Sequence, residues 1–221
     1  MKFNLILLLT ISFQLSHNLF GQDKLFYNRI HYFEHQECQH PIGTIIQDKV
    51  FYSYNSSNTS FMNFNNTDGE IAKVDLINYG EYTSYNQFLK NDFINANKVM
   101  MGYKIPVESQ SKSITEARSR FKLKSVKDTL INEKKLKHIR IEPKDTLIHR
   151  FKSYNIIINT ATETELPLYT SPEVYFLLKG SLKDLRGIIV ETFFIDLEGY
   201  WFCRDVLTGF EVTNKRVITK N

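Results

Sequence analysis

Alanine is scarce: the 221 residues contain four. The best helix former is therefore nearly missing, while 17 Phe and 12 Tyr supply residues that suit pleated surfaces. There are two cysteines, Cys38 and Cys203. So small a number excludes a disulfide-dense scaffold and a Cys-rich zinc module, and leaves room for one long-range Cys38–Cys203 bridge or two buried thiols. No Gly-x-Ser-x-Gly elbow and no Gly-rich phosphate loop occurs. Nothing in the sequence calls for a cofactor. No nucleic-acid motif is present, so a nucleic-acid partner is not expected.

Long apolar runs are also rare. One lies at the start, where Lys2 precedes Leu5 to Phe13 and the stretch closes at Leu19-Phe20-Gly21. A basic start, a short apolar segment and a small residue before a polar one are the grammar of a secretory signal peptide. The run is too short to cross a bilayer, which takes about 20 residues. We read 1–21 as the signal and 22–221 as one domain, exported to the periplasm, the envelope or the medium. No second run of membrane length follows.

What is present leans to β. Leu25–His35, Thr44–Tyr54 and Ile71–Tyr79 read as strands, the last by strict alternation, and 55–69 is polar with room for a short strand. Tyr85, Phe88, Leu89, Phe93 and Ile94 recur at helical spacing, so a helix is expected over Ser84–Met100. A loop or short helix follows over 109–120. From Phe121 onward strands resume, with Gly187–Asp196 the strongest. Glu198-Gly199 and Thr208-Gly209 read as two hairpin turns. The expectation is a mainly β, α+β chain: a curved antiparallel sheet or partial barrel with one or two helices and a helical insertion near 84–120.

Asp184-Leu185-Arg186-Gly187-Ile188-Ile189, preceded by Leu168-Tyr169-Thr170, resembles the Gly-Leu-Pro-Gly-Leu-Ile signature of the GLPGLI family of exported proteins. Leu185, Gly187 and Ile189 match, whereas Asp184 and Arg186 stand where the family has Gly and Pro. The resemblance implies an exported protein of a Bacteroidota-type bacterium. It carries no activity with it. It also brings the Asp-Thr-Leu triplets at 128–130 and 145–147 into view as O-glycosylation sites.

Charge is uneven. Between Lys112 and Lys152 there are 13 Lys or Arg against five acids. Such a block reads as solvated strand faces or as a surface for anions. In the second reading Lys122, Lys124, Lys135 and Lys137 sit on the rim of an apolar concavity lined by Phe151, Phe193 and Trp201. That set defines the candidate site: an apolar or anionic small molecule, such as an anionic amphiphile, or an envelope protein as partner. The denser constellation is His31, His35, Cys38 and His40. On a strand His31 and His35 stand about 13 Å apart, too far for one metal, so no zinc site is expected. A non-catalytic binding role is favoured. The alternative is a hydrolase using His31 or His35 with a nearby carboxylate.

Overall fold

The computed structural model describes residues 24–39, 43–54, 57–66, 69–79, 81–107, 113–131, 134–162 and 165–220. The signal-peptide reading lies outside the described residues. Strands β1 (Lys24–Gln39), β2 (Gly43–Tyr54), β3 (Ser57–Asn66), β4 (Ile71–Asn78) and β5 (Tyr82–Leu89) form an antiparallel meander. Helix α1 (Lys90–Asn95), β6 (Lys98–Tyr103) and β7 (Ile105–Pro106) follow, then α2 (Ile114–Arg120) and β8 (Phe121–Ser125). The chain continues through β9 (Thr129–Ile131), β10 (Lys134–Pro143), α3 (Thr146–His149), β11 (Ser153–Asn159) and α4 (Pro172–Ser181). It ends in β12 (Ile188–Ile195) and β13 (Trp201–Lys220).

One open, curved sheet results, ordered β7-β5-β4-β3-β2-β1-β13-β12-β11-β10-β8. Its ends do not meet, and the pairing is antiparallel except where β6 joins the end of β13 in parallel. The fold class read from the sequence is therefore the one observed.

Side chains alternate between faces along a strand, and here both faces of the central strands are covered. Phe33, Phe51 and Phe61 point to the face under α4 and α2, where Ile139, Ile141, Ile156 and Ile158 join them. Their neighbours Tyr52, Met62 and Phe64 point to the other face. There Phe93 of α1 packs against Tyr52, Phe64 and Phe88, with ring centroids 5.5, 5.3 and 5.4 Å away. Lys215 is buried beside it and donates to the carbonyls of Phe93 and Ala96, so the last carbonyls of a six-residue helix find a donor. Helix α4 starts with Pro172 at its first position and buries Val174, Tyr175, Leu177 and Leu178 against the sheet.

Two expectations are corrected. Ser84–Met100 is not one helix. Residues 82–89 pair with β4 from Ile71↔Leu89 to Asn78↔Tyr82, and only Lys90–Asn95 is helical. The helical spacing of Tyr85, Phe88 and Leu89 is overridden by pairing with β4, which turns Tyr85 and Leu89 to solvent and leaves Tyr82 and Phe88 on the core face. Thr208-Gly209 is no turn. It is a bulge inside the 20-residue β13, where Tyr32↔Gly209 is followed by Phe33↔Leu207. Cys203 is a free thiol, and the register sets it opposite Glu37 rather than Cys38, whose side chain lies outside the described residues.

Candidate functional site

Between the sheet and α4 lies a cavity of about 430 Å³. Its floor is apolar: Phe121, Ile141, Phe151, Tyr154 and Phe194 come from the strands and the turn after α3. The rings form a continuous series. Phe121 meets His149 at 4.7 Å, Phe151 meets Phe194 at 5.1 Å, and Tyr154 meets Phe194 at 4.5 Å. Thr170, Ser171 and Val174, from the segment entering α4, form the roof. A narrower cleft continues inward to Phe33, Phe51 and Ile156, sharing Tyr154, Thr170, Val174 and Asp205 with the larger space.

The roof is tied down from two sides. Arg29 of β1 makes two 2.8 Å bonds to Glu165, just ahead of α4, and both side chains are largely buried. The Glu165 hydrogen bond raises the Arg29 pKa further above its usual value. On the other side Arg118 donates to the Gly180 carbonyl at 2.8 Å, and Arg120 pairs with Glu173 at 3.2 Å, locking α2 to α4.

Two ionic groups stand on the rim. One is Arg120 with Glu173, which also accepts from Ser171 at 3.1 Å. The other joins three central strands: Asp205 lies 2.7 Å from His35 Nδ1 and 3.2 Å from Lys49 Nζ. Lys49 is also 3.0 Å from His35 Nδ1. That nitrogen either donates to Asp205 or accepts from Lys49, and in both cases Lys49 donates to Asp205.

The histidines singled out in the sequence thus part company. His35 reaches the cavity rim through Asp205, whereas His31 is buried and bonded to Ser53 at 2.8 Å. Burial first, and the charge of Arg29 second, push His31 down to about 4. His40 and the Cys38 side chain lie outside the described residues. Among the described residues no group of three His, Cys, Asp or Glu side chains converges on a metal position.

Of the predicted lining, only Phe151 reaches the cavity. Phe194, not Phe193, faces it, because Phe194 stands opposite Tyr154 while Phe193 stands opposite Asn155. Trp201 is exposed at the start of β13. Lys122 and Lys124 sit one residue out of phase with the inward-facing Phe121 and Leu123, and both pair with Glu142, at 3.3 and 3.0 Å. Burial works to raise the Glu142 carboxyl, but the two lysine hydrogen bonds outweigh it and hold it below the usual range. These lysines therefore leave the cavity rim. Lys137 is half-buried opposite Ile158, and the Lys135 side chain lies outside the described residues. Arg120 was visible only as one of the 13 cations of the 112–152 block, and Lys49, Glu173 and Asp205 carried no sequence signal. Lys49 and Asp205 are 156 positions apart and meet only through β1.

The hydrolase alternative finds its His–carboxylate pair in His35 and Asp205, but the third member is a lysine rather than a nucleophile. The Cys203 thiol nearby is pushed up by burial and then by Glu37, the reverse of an activated thiol.

Fold and site together define a class: an open, curved antiparallel sheet holding an apolar, ion-rimmed cavity beneath two helices. No family model matches the chain. No curated protein matches it either. Solved structures do. Pseudomonas aeruginosa MucB, solved with MucA, aligns at 9% identity and a TM-score of 0.44 over 85% of this chain and 52% of that one. An uncharacterized conserved protein from Thermus thermophilus gives 9% identity and 0.42 over 85% and 79%. A putative outer membrane lipoprotein-sorting protein domain from Vibrio parahaemolyticus gives 8% and 0.35 over 85% and 86%. The chain spans about half the length of the MucB chains. The class stated here rests on the strand order and the cavity.

Proposed function

We propose that this chain is an exported, envelope-associated binding protein that holds the apolar part of an anionic amphiphile between α4 and the sheet. The observation that carries the reading is the cavity: about 430 Å³, floored by Phe121, Ile141, Phe151, Tyr154 and Phe194. Ligand pockets typically measure about 300–1,000 Å³ and combine an apolar lining with a few placed polar groups. With Lys122 and Lys124 turned away, head-group recognition falls to Lys49 and Arg120. An anionic head competes there with Asp205 and Glu173 for the two cations. Export rests on the reading of residues 1–21.

The test is displacement of a fluorescent fatty acid by single-chain amphiphiles matched in length. Thr170→Trp places an indole in the roof at an exposed residue, and binding should fall by about tenfold or more, as lost apolar contact of roughly 1.4 kcal/mol implies. A carboxylate should displace better than the matching alcohol, and Arg120→Gln should erase that preference. Equal displacement by both removes the head-group assignment. Failure of every amphiphile to bind the wild type refutes the cavity reading itself.

A further inference from the structure

The formal charges around the cavity cancel. Among the residues that line it, two cations, Lys49 and Arg120, stand against two acids, Asp205 and Glu173. They are already paired, Lys49 with Asp205 and Arg120 with Glu173, each at 3.2 Å. The anionic head of a bound amphiphile adds a negative charge to a wall whose formal charge is zero.

The two signs are not equally free to answer it. Lys49 and Arg120 are 30% and 41% exposed, whereas Asp205 and Glu173 are 26% and 20% exposed. Lysine and arginine carry their charge on long stems and can swing toward a ligand. Asp205 is short, is borne by β13, and lies 2.7 Å from His35 Nδ1. When Lys49 turns to an anion, Asp205 therefore stays in the wall and loses the ammonium that faced it. The contact with His35 remains, but a partly buried carboxylate parted from its ionic partner is costly. The position left open is well defined: it is that of an ammonium nitrogen 3.2 Å from Asp205 Oδ1, at the cavity wall. An ammonium carried by the ligand restores the pair.

We infer that the head group recognised here carries an ammonium group beside its anion. The inference rests on the amphiphile reading of the cavity and narrows it to zwitterionic heads. The anion meets Arg120 and Lys49, the ammonium replaces Lys49 at Asp205, and the wall with its ligand keeps a formal charge of zero. A head that brings an anion alone strands the Asp205 carboxylate, and a stranded charge is a means of rejecting the wrong partner.

The test compares lysolipids of one chain length as displacers of the fluorescent fatty acid, below their micelle concentrations and at about pH 8, where an ordinary imidazole is uncharged. Lysophosphatidylethanolamine brings phosphate and ammonium. Lysophosphatidylglycerol brings phosphate and hydroxyls, and N-acetyl-lysophosphatidylethanolamine brings phosphate and a neutral amide. The first should displace on the order of tenfold better than either of the others, the gain expected of one charge-assisted contact. Asp205→Asn keeps the shape of the side chain without its charge, and should bring that preference below roughly twofold. If this variant does not fold, the comparison with the N-acetyl lipid on the wild type decides alone. Equal displacement by the three lipids overturns the inference and leaves the cavity reading standing, as does a preference for the glycerol head. A folded Asp205→Asn that retains the full preference also overturns it, since the ammonium is then held elsewhere. Displacement by none of the three overturns both the inference and the reading beneath it.

Discussion

Gly187 and Gly199 hold the same kind of backbone, with φ of +129° and +103°, yet alanine should cost very different amounts at the two positions. At Gly199, in the hairpin tip, an added Cβ meets nothing within 4 Å. Only the left-handed conformation penalises the substitution, by about 1–2 kcal/mol. At Gly187 the same Cβ would lie 2.4 Å from the Asn159 carbonyl oxygen and 2.8 Å from Ile158 Cγ2. The oxygen is backbone and cannot swing aside. Moving it breaks the Ile188–Asn159 pairing and strains the Gly187 N–H bond to the Glu165 carbonyl, 2.8 Å long, which holds the roof segment. Overpacking of this kind adds roughly 1–3 kcal/mol, so Gly187→Ala should lose about 2–5 kcal/mol. For a chain of this size, each kcal/mol lowers the melting temperature by about 2–4 °C. Thermal unfolding followed by circular dichroism should therefore show a drop of roughly 2–8 °C for Gly199→Ala, and for Gly187→Ala a drop larger than that by about 2–12 °C. Equal drops would refute the clash argument, and a Gly187→Ala loss below about 1 kcal/mol would refute the strain argument as well.

Two further predictions concern protons. His31 is held at about 4, below its unfolded value of 6.5, so the unfolded chain binds the extra proton first as pH falls. Stability should drop between about pH 6.5 and pH 4, by on the order of 3 kcal/mol, and urea titrations that stay flat through this window would contradict it. Lys215 is held at about 8 by burial, below its usual 10.5, so between these values the unfolded chain carries the proton and the folded one does not. Stability should rise with pH across that window, and the rise should vanish in Lys215→Met; persistence in the variant assigns it elsewhere. Glu165→Gln trades a carboxylate in a two-bond ion pair for an amide, and the roof should loosen by about 3 kcal/mol, read as a lower melting temperature and faster hydrogen exchange in 165–171. Unchanged exchange there would show that the ion pair does not hold the roof.

The β-rich class was legible because it is written in local composition: aromatic and β-branched strands, four alanines and alternating segments such as Ile71–Asn78. Helix α2 was legible only as a loop or short helix over 109–120, because few apolar residues mark the face it docks. Register is not local. A one-residue step separates Phe194 from Phe193, and Leu123 from Lys124, and it decides which of each pair faces inward. The sequence by itself therefore determined that a curved sheet with aromatic bulk would form. Tertiary pairing alone decided that residues 82–89 become a strand and that Lys122 and Lys124 serve Glu142. It also brought Lys49 and Asp205 together through β1, because hydrogen bonding between distant strands sets the face of every side chain at once.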